Sequence, residues 1–75
     1  MVDIGYDNYK YLKEKYKPGT RIQLIEMKDP YPVPPGTIGT VNKVTTLGML
    51  NMTWENGSTL GLCIGVDNFK IIKGE

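Results

Sequence analysis

The spacing of apolar residues changes several times along this chain, and each change marks an element. Tyr9, Leu12 and Tyr16 fall at i, i+3 and i+7, the spacing of one helix face. With Asp7 as N-cap, this predicts a helix over residues 8–16, stopped by Pro18 and Gly19, with residues 1–6 frayed. So short a helix is marginal alone, so its stripe is expected to dock on the rest of the chain. Tyr11 points the other way, beside Lys15. From residue 20 to 27 the period drops to two. Ile22 and Leu24 alternate with Arg21 and Gln23, which predicts a first strand that ends or bulges near Ile25. A second strand is predicted over residues 37–44. Simple alternation fails between Ile38 and Val41, and Gly39 is the expected bulge or bend.

Past a turn at residues 45–48, two apolar sets face each other across a short connection. Leu50, Met52 and Trp54 share one parity, and Leu60, Leu62 and Ile64 another. A two-residue Asn56-Gly57 turn would put the sets on opposite faces. A three-residue loop of Glu55, Asn56 and Gly57 pairs Trp54 with Ser58, Met52 with Leu60 and Leu50 with Leu62, so both sets face one core. That register places Gly57 in the left-handed region as a G1 bulge. Residues 65–68 read as a turn. Phe69, Ile71 and Ile72 read as a last strand, and residues 73–75 as a polar tail. No internal repeat or linker is evident.

Between the first two strands, Pro30, Pro32, Pro34 and Pro35 fix φ and remove backbone donors, so this stretch is neither helix nor inner strand. It is expected to be extended and stiff, with a type II turn at Pro35-Gly36. Tyr31-Pro32 is a candidate for some cis population. The loop either displays Tyr31 to a partner or simply holds a long connection against the sheet by lowering unfolded-state entropy. The second explanation is favoured, and both can hold.

The expected architecture is mainly β: a small five-stranded SH3-like barrel over residues 19–73, with a helical lead-in over residues 1–18. An OB-like barrel is the alternative and usually needs longer strands. The expected core is Ile22, Leu24, Ile38, Val41, Val44, Leu50, Met52, Leu60, Leu62, Phe69 and Ile71, with the helix stripe as a lid. The stretches Lys17-Pro-Gly-Thr-Arg-Ile-Gln-Leu, Asp29-Pro-Tyr-Pro-Val-Pro-Pro-Gly-Thr-Ile-Gly-Thr-Val, Thr53-Trp-Glu-Asn-Gly-Ser-Thr-Leu and Gly65-Val-Asp-Asn-Phe resemble a family of small bacterial proteins catalogued as domain of unknown function 4314. The resemblance covers about residues 16 to 72 and leaves the helix outside it. It implies a small β-barrel and an association with mobile elements and phages. It implies no activity and no binding residues.

Composition narrows the chemistry. With 75 residues the chain is one small domain of thin stability margin, and a formal charge of +1 points to no class of partner. Cys63 is the single cysteine, which fits a reducing compartment and a cytoplasmic location. No apolar run is long enough for a membrane span, and the first residues lack the basic start and apolar core expected of a secretory signal. Histidine is absent, which removes the commonest acid–base group and metal ligand. Glu26, Asp29, Glu55 and Asp67 are the remaining acid–base candidates, and nothing in the spacing gathers two of them. Neither catalysis nor a cofactor or metal is expected.

What remains is a binding surface. Lys10, Lys13, Lys15, Lys17 and Arg21 concentrate basic charge in and just after the helix, interrupted by Glu14. This is either a solvated helix face, the favoured reading, or a contact for phosphates or an acidic protein patch. Tyr31, Tyr11 and Trp54 are the candidate aromatics, although Trp54 shares parity with Met52 and Leu50 and is read first as core. Aromatics beside bases suit single-stranded nucleic acid, and aromatics beside acids suit proline-rich peptides. The expected function is therefore a non-catalytic binding module for nucleic acid or for a protein or peptide, acting as a monomer and away from membranes. The alternative is a structural or assembly subunit acting by self-association or through a protein partner, with Met49, Cys63 and Ile64 as contacts if they face outward.

Overall fold

In the computed structural model, which describes residues 6–73, one helix precedes five antiparallel strands. They are α1 (Tyr6–Lys15), β1 (Arg21–Glu26), β2 (Ile38–Val44), β3 (Met49–Trp54), β4 (Leu62–Cys63) and β5 (Asn68–Lys73). The sheet order is β4-β3-β2-β1-β5, a meander whose last strand returns beside the first. The mainly β fold and the strand count are as expected. The closed barrel is not formed, because no ladder joins β4 to β5. Two residues of β4 are too few to span that gap.

The helix begins earlier than its caps suggest. Tyr6 and Asp7 are already helical, so Asp7 belongs to the first turn. Aspartate is favoured both as N-cap and in the first turn, so composition alone does not separate the two positions. Against the fraying expected of residues 1–6, Tyr6 is helical, and against the tail expected of residues 73–75, Lys73 ends β5; residues 1–5, 74 and 75 lie outside the described residues. Tyr9 and Leu12 are half-buried and Tyr16 is buried, so the stripe docks as expected. Tyr16 anchors the docking edge-on to Phe69 of β5, with ring centroids 5.9 Å apart.

Irregularities in three strands set which side chains face the core. Ile25 is an extra residue of β1 between the Leu24↔Phe69 and Glu26↔Asn68 pairs, which shifts the parity so that Met27 is buried. Gly39 does not interrupt β2. Its pairing with Ile22 on one side and Trp54 on the other is regular. The extra residue is Asn42, between the Val41↔Met52 and Lys43↔Asn51 pairs, so burial runs Gly39, Val41, Val44. Ile38 therefore lies on the other parity and is only half-buried. The reason for glycine at 39 is contact. A Cβ there would lie 2.6 Å from Trp54 Cε3 and 3.0 Å from Met52 Cε. Ile72 is the extra residue of β5, between the Arg21↔Lys73 and Ile22↔Ile71 pairs. Ile71 pairs with buried Ile22 but is 42% exposed, against the expectation of core. The open seam leaves it without a covering strand.

The β3–β4 connection has the expected register. Trp54 N–H donates to Ser58 O (2.9 Å), Gly57 N–H donates to Trp54 O (3.0 Å), and Gly57 has φ +91°. The ladder resumes at Leu50↔Leu62 in the same register. Between these points the returning arm carries no ladder. Trp54 Nε1–H donates instead to Leu60 O (2.8 Å), and Leu60 is half-buried against the core.

The proline segment is anchored by Val33, which is buried. Asp29 Oδ1 accepts from Tyr31 N–H (2.9 Å), an Asx turn that starts the loop. Gly36 has φ +91° and Thr37 N–H donates to Pro34 O (3.2 Å), the expected type II geometry. Among the described residues no peptide is cis, so Tyr31-Pro32 is trans. Asp67 fastens the start of this loop to the β4–β5 turn. Its buried carboxylate accepts from Lys28 N–H (2.7 Å) and Cys63 N–H (2.8 Å). Two backbone donors share one side chain, and they join segments that no ladder connects.

Candidate functional site

The basic residues of α1 divide between two sides of the helix. Lys10, Lys13 and Glu14 follow the i, i+3, i+4 rule, and Lys17 continues it past the helix end. With Tyr9 they line an open groove of about 380 Å³. Lys13 Nζ stands 5.1 Å from the Tyr9 ring centroid, a cation–π distance. Glu14 makes no ion pair or hydrogen bond among the described residues, so its carboxylate is free in a groove lined by three lysines.

Lys15 and Tyr11 lie on the other side. Lys15 Nζ is 5.9 Å from the Tyr11 ring and 5.5 Å from the Tyr16 ring. It packs over aromatic faces beside the docked edge of the helix, and Tyr11 is exposed. Arg21 is elsewhere again, on the outer face of the sheet. It donates to Thr40 Oγ1 (2.6 Å) and is ion-paired with Glu55 of the β3–β4 loop. That pair offsets its charge, so it adds little to a basic surface.

The aromatics also separate. Trp54 is 1% exposed, with its indole nitrogen satisfied internally, so its ring is core and not a contact surface. Tyr31 stands 89% exposed at the loop tip and does not line the lysine groove. Tyr9, read from its spacing as a packing residue, is the aromatic that does line it. The signal was present, because Tyr9 and Lys13 are four apart on the helix.

Other chemistry is sparse. The Cys63 thiol is pushed above its usual pKa, first by burial and then by the negative charges of Asp67 and Asp29. It stays protonated near neutrality and is a poor nucleophile. No three His, Cys, Asp or Glu side chains group as metal ligands among the described residues. No described helix is long and apolar enough to cross a membrane.

The chain belongs to the family described as Domain of unknown function (DUF4314), whose model matches residues 6–72. The match reaches back across α1, so the helix and its lysine groove lie within the family region, contrary to the shorter extent inferred from the loop motifs. The chain has no significant match among curated proteins or among solved structures.

Proposed function

We propose that this protein is a non-catalytic binding module whose contact surface is the α1 groove and whose ligand is single-stranded nucleic acid. The observation that carries this reading is the convergence of Lys10, Lys13 and Lys17 on one groove around Tyr9. Three ammonium groups on flexible stems suit phosphates, which they neutralise without demanding planar geometry. An aromatic beside them supports stacking of an unpaired base. The protonated Cys63 thiol and the absence of histidine weigh against nucleophilic and acid–base catalysis.

The test is titration of isotope-labelled protein with short single-stranded DNA, followed by amide chemical shifts. Shifts are expected at Tyr9 to Lys17, and they should fade as salt rises. On single strands, log affinity falls with log salt by about 0.7 per phosphate neutralised, so three lysines predict a slope of about −2. Shifts confined to the Tyr31 loop or the outer sheet face would reject this surface.

A second reading rests on the free edge of β5. Ile71 and Ile72 are both exposed there on an edge strand of six residues, which is a template for pairing with another chain. It favours self-association. Sedimentation that changes with protein concentration, and that is lost in Ile72→Lys, would support it.

A further inference from the structure

Three lysines would bind any polyanion, but the groove also holds Glu14, whose carboxylate is free of partners among the described residues. A carboxylate placed only to meet phosphates would weaken them. It is suited to a different part of a single strand, the edge of an unpaired base. Carboxylates only accept hydrogen bonds, and the exocyclic amino groups of cytosine, adenine and guanine donate them. Thymine and uracil carry no amino group, and their imino N–H is flanked by two carbonyl oxygens that repel a carboxylate. We propose that Glu14 selects amino-bearing bases in a single strand whose phosphates lie on Lys10, Lys13 and Lys17. The proposal rests on the nucleic-acid reading of this groove and adds base preference to it.

The geometry supports a division of labour. Lys10 and Lys13 stand about 4.5 Å apart along the helix axis and Glu14 about 1.5 Å further on, so a base turned inward between phosphate contacts meets the carboxylate. Tyr9 lies on the same side and offers its ring to the inserted base. Lys13 now covers that ring at 5.1 Å, and it would leave the ring to meet a phosphate. Unpaired bases are required because in a duplex both faces of each base are stacked on its neighbours, so only an unpaired base can lie on the Tyr9 ring while its amino group meets Glu14.

The experiment is fluorescence anisotropy with labelled oligo-dC and oligo-dT of equal length at low salt, on the full chain and on Glu14→Ala. Alanine at this exposed helical site favours the helix, so the variant is expected to fold, and circular dichroism checks it. The wild type should prefer oligo-dC by about fivefold or more, the low end for one base contact. Glu14→Ala should bind oligo-dT more tightly and show no preference. Equal binding of both oligonucleotides by the wild type, with Glu14→Ala tightening both alike, overturns the base selection but leaves the nucleic-acid reading intact. Binding of neither oligonucleotide, or displacement of both by an acidic peptide, overturns the two together. A Lys10→Gln, Lys13→Gln, Lys17→Gln variant should lose affinity for both oligonucleotides alike, which separates phosphate contact from base contact.

Discussion

Two turns of this protein share a sequence and a geometry but differ in their surroundings. Lys17-Pro18-Gly19-Thr20 enters β1 and Pro34-Pro35-Gly36-Thr37 enters β2. In each, the glycine has positive φ, at 95° and 91°, and the threonine N–H donates to the carbonyl three residues back. Each threonine hydroxyl donates to that same carbonyl, at 2.7 and 2.6 Å. Each turn is then stitched to the opposite strand by two backbone bonds. Gly19 N–H and Thr20 O engage Val41, and Gly36 N–H and Thr37 O engage Leu24. The two halves are related by a local two-fold that carries Leu24 onto Val41, both buried, and Ile22 onto Gly39. The difference is burial. Thr20 is 1% exposed, whereas the Thr37 hydroxyl bond lies at the surface. Proline and glycine set the turn, and the rest of the chain decides how much depends on it.

The sharpest break in this symmetry is Gly39, where the first half has Ile22. Gly39→Ala should give the largest effect. The new methyl meets the Trp54 ring at 2.6 Å, and the ring is held by its bond to Leu60 O. Overpacking of this kind costs about 1–3 kcal/mol, and 1 kcal/mol lowers the melting midpoint of so small a domain by about 4–8 °C. If the collision is the cause, Trp54→Phe should soften it, and the double variant should be more stable than the sum of the single changes predicts. Strict additivity would show that some other feature of β2 requires glycine.

The buried turn comes next. Thr20→Val keeps shape and removes the hydroxyl, so it should cost about 1 kcal/mol by thermal or urea unfolding. Gly36→Ala probes the exposed turn by its backbone. Nothing lies within 4 Å of the added methyl, so only the positive φ opposes it, at about 1 kcal/mol. A larger loss would mean that the added methyl disturbs the neighbouring prolines.

The same contrast explains which features were legible beforehand. Local chemistry announced itself. Pro35-Gly36 specified its turn, the break in alternation at Ile25 marked a strand end or bulge, and two parities of leucine and methionine selected the odd-length loop at Gly57. Features set by distant contacts did not. Gly39 reads as a bend because glycine often is one, and the close approach of Trp54 appears only when β2 and β3 are paired. Asn42 carries no local mark of a bulge. Asp67 reads as an ordinary turn residue, yet its carboxylate spans two segments 39 positions apart at Lys28 and Asp67. The two-fold between the Pro-Gly-Thr turns was missed because three residues are too short a repeat to stand out. In the candidate site, the basic run and the helical part of its division were legible, but the pairing of Arg21 with Glu55 was not. Helical spacing separates Lys10, Lys13 and Lys17 from Lys15, and pairing removes Arg21.

The smallest expected effect is at the hydroxyl of Thr37, the counterpart of Thr20. Thr37→Val removes the same bond, at 2.6 Å against 2.7 Å, with the same change of atoms. If the bond lengths set the energy, the two variants should lose equal stability. Burial argues otherwise. At the surface water replaces the hydroxyl and satisfies Pro34 O, so the net loss should stay within about 0.5 kcal/mol. At the other turn the Thr20 side chain is enclosed, so water replaces its hydroxyl less readily and Lys17 O is left with the Thr20 N–H (3.0 Å). Equal losses in paired unfolding measurements would mean that the turn itself, not its surroundings, sets the strength of these bonds. A Thr20→Val loss at least twice that of Thr37→Val would assign the difference to burial, which encloses the Thr20 side chain and leaves the Thr37 bond at the surface.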